Sequence, residues 1–72
     1  MAETALVEIR LNGAARSVRA GVTLAALLEE LALDPRWVVA EHNGEPVARE
    51  RFPAVALAEG DRLELVRPVA GG

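Results

Sequence analysis

One leucine stripe between two Asn-Gly dipeptides limits what this chain can fold into more than any other feature. Leu24, Leu27, Leu28 and Leu31 recur at helical spacing and make one apolar face. Thr23 is placed to cap that helix by accepting a backbone N–H, and Val22 with Leu27 is spaced as a hydrophobic staple. The helix is expected over Thr23 to Leu33, because Pro35 cannot continue it and biases Asp34 away from helical dihedrals. Glu29 and Glu30 fall on its solvated side. A lone apolar stripe must be buried against something, and the flanking segments offer a sheet.

Leu6 to Leu11 alternates, with Val7, Ile9 and Leu11 on one face and Glu8 and Arg10 on the other. Asn12-Gly13 follows, a strong hairpin signal because both residues tolerate positive φ. Ala15 to Ala20 reads as the return strand, with Val18 and Ala20 inward and Arg16, Ser17 and Arg19 suited to a sheet edge. Trp37 to His42 is a third strand, turned by Asn43-Gly44 into a short segment that begins at Val47. Phe52 and Leu57 read as pins that close the core, and Trp37 is placed there with them. Glu59-Gly60-Asp61 is a turn. Arg62 to Arg67 is the last strand, with Leu63 and Leu65 inward and Glu64 and Val66 outward. The predicted fold class is α+β: a mixed sheet packed on one main helix, the β-grasp or ubiquitin-like arrangement. Residues 1–67 make the domain, and 68–72 a flexible C-terminal tail.

A chain of 72 residues is enough for one such domain. A domain of this size buries only about 60% of its unfolded surface, which leaves little room for a deep catalytic pocket. Cysteine is absent and His42 is the only histidine, which argues against disulfides, thiol chemistry and a structural zinc site. All eight basic residues are Arg, so neither a phosphate-loop lysine nor a Schiff-base lysine is available. The net charge of −3 gives no basic footprint for nucleic acid. No signal peptide and no apolar run of membrane-spanning length is evident, so the expected location is cytoplasmic.

The final Gly71-Gly72 stands out. Two glycines at a chain end arise by chance in about 0.5% of sequences. A permissive end without a role is the plain reading. The functional reading has a physical basis: without Cβ atoms such a tail enters a narrow tunnel, and its terminal carbonyl carbon is unshielded. Extended, residues 68–72 reach about 17 Å, enough to present the Gly72 carboxylate inside another protein's active site. A carboxylate becomes an acyl donor only after activation, and with no phosphate loop here the activating enzyme is expected to be a separate protein.

Leu11-Asn12-Gly13, the helix start Thr23 to Leu28, Asn43 to Arg49, Glu59 to Val66 and Val69-Ala70-Gly71-Gly72 together resemble the ThiS family, sulfur carriers of thiamine thiazole synthesis. The Gly-Asp turn, last strand and terminal Gly-Gly are shared with the molybdopterin-synthase small subunit. Ala48 stands where the thiamine branch often has Pro, and Pro68-Val69 is similar to the molybdopterin branch. The resemblance implies a carrier acted on by others. A ubiquitin-activating-like adenylyltransferase (ThiF type) uses ATP to adenylate Gly72. Sulfur from a donor such as a cysteine desulfurase persulfide converts it to a thiocarboxylate, and thiazole synthase (ThiG type) takes the sulfur. No cofactor is expected on the carrier itself. Rival readings are a sister carrier for molybdopterin synthesis or tRNA thiolation, a ubiquitin-like protein modifier, and a passive interaction module. An enzyme acting alone lacks a nucleophile, a base and a pocket.

Five residues are expected to meet partners: Val66, Val69, Ala70, Gly71 and Val39. Val66 points outward beside the tail, with Val39 on a neighbouring strand, and a scattered exposed valine pair weighs evenly against a docking patch. His42, at a strand end beside a turn, is expected to be an exposed structural residue rather than a proton shuttle.

Overall fold

In the computed structural model, which describes residues 5–68, five strands form one mixed sheet and a helix crosses one of its faces. β1 (Leu6–Leu11) and β2 (Ala14–Arg19) form an antiparallel hairpin. α1 (Leu24–Glu30) crosses over. β3 (Val39–His42) and β4 (Glu45–Val47) form a second hairpin. β5 (Arg62–Val66) then enters between the two hairpins, giving the order β2-β1-β5-β3-β4. It runs parallel to β1 and antiparallel to β3. This is the β-grasp arrangement that the sequence pattern predicts.

The core is the leucine stripe set on the inward residues of the sheet. Ile9, Leu24, Leu27, Leu28, Leu57 and Leu63 are fully buried, and Val7, Leu11, Leu31 and Leu65 pack around them. Phe52 and Leu57 close the core as expected, Phe52 from a 3₁₀ segment at Arg49–Ala54. Val22 and Leu27, the expected staple, are both buried in this cluster. Ala20 departs from expectation: β2 ends at Arg19, and Ala20 sits exposed in the turn before Gly21.

The helix begins where Thr23 predicts, its hydroxyl accepting the Ala26 N–H at 3.1 Å. It ends earlier than Pro35 implies. Ala32 adopts φ 58°, and the Ala32 and Leu33 N–H groups donate back to the Glu29 and Leu28 carbonyls at 3.0 and 2.9 Å. That is a Schellman closure with alanine at the position where glycine is preferred. Pro35 instead opens a 3₁₀ turn, Pro35–Trp37, capped by Asp34. β3 therefore starts at Val39, and Trp37 is outside both strand and core at 64% exposure, a correction to its expected place. Among the described residues no helix is long and apolar enough to cross a membrane.

Candidate functional site

β5 is the element that leads to the chain end, and both hairpin turns hold it. Asn12 and Asn43 each take positive φ, 51° and 52°, in front of a glycine. That conformation leaves each asparagine side chain free to reach the central strand. Asn12 Oδ1 accepts the Leu65 N–H and Asn43 Oδ1 accepts the Arg62 N–H, both at 2.8 Å. Their backbone N–H groups donate to Leu63 and Arg62 carbonyls at 2.9 and 2.8 Å. The Asn-Gly signal identifies the turns but carries no trace of this second role, because the partners lie on a strand far along the chain.

The second turn is further tied down by Asp61, immediately before β5. Asp61 Oδ2 accepts from His42 Nε2 at 2.7 Å and from the Ala58 N–H at 2.9 Å, while Asn43 Nδ2 donates to Oδ1 at 3.2 Å. Burial raises the Asp61 pKa, but hydrogen bonds from His42, Ala58 and Asn43 outweigh it and hold the carboxyl below its ordinary value. His42, expected to be exposed, is half-buried, because pairing with Asp61 draws its ring against the turn.

The face of the sheet opposite the helix is open. Its central strands present three cross-strand rungs: Arg10 opposite Arg62, Glu41 opposite Glu64, and Val39 opposite Val66. The first two rungs are charged, and Glu41, Gly44, Arg62 and Glu64 line a shallow depression. The third is apolar and exposed, Val39 at 53% and Val66 at 56%. It lies at the end of β5, next to the residues that lead to the tail. The structure thus brings Val39 and Val66 together as the strand alternation predicts. The other expected site residues, Val69, Ala70, Gly71 and Gly72, lie outside the described residues.

Trp37 precedes this rung by two residues. Sequence reasoning misses it as a surface residue. The available signal is Asp34-Pro35, which starts a turn and takes the following positions out of the strand. Asp34 grips Arg36 through its two carboxylate oxygens, at 2.8 Å to Nη2, and the Arg36 guanidinium sits 5.7 Å from the Trp37 ring centroid. The Arg36 hydrogen bonds hold the Asp34 carboxyl at a pKa of about 2, against an ordinary 3.8. Among the described residues no group of three or more His, Asp or Glu side chains is placed to hold a metal ion. What the site offers is a shaped surface at the end of the last strand.

A five-stranded β-grasp sheet with one open face beside the exit of its last strand defines a ubiquitin-like domain. The ThiS family model matches residues 9–72, and the chain belongs to that family. It is similar to the crystal structure of the thiamine biosynthesis protein ThiS from Geobacter metallireducens, with TM-score 0.80 and 29% identity, covering 92% of this chain and 100% of that one. The solution structure of a thiamine biosynthesis protein from the same organism gives TM-score 0.76 at 29% identity, covering 92% and 88%. Two curated relatives, a thiazole synthase from Paramagnetospirillum magneticum and one from Magnetococcus marinus, are each 39% identical over 66 residues. Those residues are 92% of this chain but 20% of each relative, so the chain spans about a fifth of their length.

Proposed function

We propose that this protein is the sulfur carrier of thiamine thiazole formation, with the Gly72 carboxylate as its working group. The observation that carries the reading is the family match, which extends through Gly72. The fold is compatible with it: β5 is the central strand, and its far end carries the exposed Val39–Val66 rung, an apolar surface open to a partner that takes the tail.

In this reading a separate adenylyltransferase binds the Val39–Val66 rung and draws residues 68–72 into its nucleotide site. The Gly72 carboxylate attacks the α-phosphate of ATP, and pyrophosphate leaves. A persulfide sulfur then attacks the acyl carbon and AMP leaves. A second thiol then attacks the donor-side sulfur of that acyl disulfide, forming a new disulfide with it and leaving a thiocarboxylate on Gly72. Thiazole synthase accepts that sulfur. The carrier contributes position, and with neither cysteine nor lysine it supplies no thiol or side-chain amine of its own. ATP is bound by the partner, and the carrier is not itself an enzyme.

The test is reconstitution with the cognate activating enzyme, ATP and a persulfide donor, followed by mass measurement of the intact protein and of its C-terminal peptide. The expected result is one sulfur-for-oxygen exchange located on Gly72. Amide-linked adducts with other proteins, and no thiocarboxylate, would make it a modifier instead.

A further inference from the structure

We propose that Trp37 is the anchor by which this domain docks on thiazole synthase, extending the Val39–Val66 rung into one apolar strip. The proposal rests on the carrier reading above and names a contact residue that neither the sequence pattern nor the family match assigns.

Three observations support it. The first is placement. Val38 is extended and buried, while its neighbours Trp37 and Val39 are exposed. Two residues separated by one extended residue have Cα atoms roughly 7 Å apart, so the exposed Trp37 adjoins the exposed Val39 along the chain. Val39 pairs directly with Val66, so an indole, two valines and the start of the tail follow one another across the sheet end. These three are among four large apolar side chains exposed in the described residues. The fourth, Leu6, belongs to the other end: β1 meets β5 only at Arg10–Arg62 and Leu11–Leu63, so the start of β1 runs away from Val66.

The second is preorganisation. An exposed tryptophan is usually free to change rotamer. Here one face lies near Arg36, and Arg36 is fixed by the two-oxygen grip of Asp34. The guanidinium beside the ring narrows the rotamers open to it, so less freedom is lost on binding than for a surface tryptophan with no such contact.

The third identifies the occupant. Two thiazole synthases carry a stretch 39% identical to 66 residues of this chain as a fifth of one longer polypeptide. In those relatives the domain and the remainder of the synthase are covalently joined, so each is the other's constant neighbour at high effective concentration. An apolar strip at the tail exit, exposed when the domain stands alone, fits that neighbour.

The chain has a single tryptophan, which makes the test specific. The uncharged carrier, labelled with 5-fluorotryptophan, is titrated with unlabelled cognate thiazole synthase and, separately, with the activating enzyme. Affinities for the synthase are then measured for the wild type, Trp37→Ala and Trp37→Phe. The fluorine resonance should shift or broaden with the synthase. Trp37→Ala should weaken synthase binding at least about tenfold with its melting temperature unchanged, and Trp37→Phe should recover part of the loss. A resonance unmoved by saturating synthase, a shift with the activating enzyme alone, or equal synthase affinity in Trp37→Ala would each overturn the proposal. Binding is read on uncharged carrier, so a failure of Gly72 to acquire sulfur overturns the carrier reading without affecting this measurement.

Discussion

The two faces of the sheet differ in how their residues are constrained. On the inner face Ile9, Leu63 and Ala40 are buried in one cluster with the α1 leucines Leu24, Leu27 and Leu28. On the outer face the alternate residues of the same strands, Arg10 and Arg62, Glu41 and Glu64, Val39 and Val66, meet solvent in like-with-like rungs. Two arginines or two glutamates directly opposite each other are unfavourable by themselves. Nothing in folding requires that pattern, whereas the inner pattern is what folding consists of. The inner face therefore answers for stability, and the outer face is available to partners. Substitutions on the two sides should separate these effects.

The largest stability effect is expected at Leu28, buried in the centre of the stripe. Leu28→Ala should cost about 2–5 kcal/mol through the cavity it leaves, read as a fall in the denaturant midpoint at unchanged slope. A loss below about 1 kcal/mol would mean that the helix is not the lid the inner face requires.

Asp61 comes next, because its carboxylate serves His42, Asn43 and the Ala58 N–H together. Asp61→Ala should cost about 1–3 kcal/mol by orphaning those donors. The pH dependence follows from its lowered pKa. A carboxylate held below its ordinary 3.8 favours the folded state fully above that value and loses the contribution as pH falls through the lower, folded-state pKa. Acid titration of stability should therefore fall less steeply in Asp61→Ala than in the wild type. An identical acid limb in both proteins would show that the Asp61 cluster contributes nothing.

At the helix end the expected sign is reversed. Ala32 holds φ 58° where an L side chain is strained. Ala32→Gly should stabilise the protein by about 0.5–1 kcal/mol, the relieved strain being partly offset by the greater freedom of glycine in the unfolded chain. A destabilised variant would show that the alanine methyl makes a contact worth more than the strain.

The smallest effect on stability, and the sharpest contrast, is expected on the outer face. Val66→Asp should change stability by less than about 0.5 kcal/mol. It should also weaken binding to the activating enzyme by about tenfold or more, since it places a charge in an apolar contact. Calorimetric titration beside a thermal melt checks both halves, and a large fall in melting temperature would erase the distinction between the faces.

The inner face was legible in the sequence because burial imposes a period. Leucines three and four apart give the helix, and alternation in Val7, Ile9, Leu63 and Leu65 gives the strands that receive it. The outer-face pair Val39–Val66 was legible by the same alternation, once the strands were placed. What the sequence hid has two physical causes. The clamps from Asn12 and Asn43 to β5, and the His42–Asp61 pair, join residues about 20 to 50 positions apart and leave no local pattern. Trp37 and Ala32 are cases where tertiary context overrides type: a large aromatic left at the surface by a 3₁₀ turn, and an alanine in a glycine's conformation.

The central claim is that the carbonyl of Gly72 itself is the reacting centre, and one added residue tests it most directly. A protein carrying a single alanine after Gly72 should fold with the same melting temperature. Incubated with the cognate activating enzyme, ATP and a persulfide donor, the unextended protein should gain one sulfur in exchange for oxygen, and the extended one should gain none. The extra residue displaces the reacting carbonyl by about 3.5 Å, where about 1 Å of misplacement can already cost a hundredfold in rate. Sulfur loaded onto the extended protein without prior trimming would contradict the account.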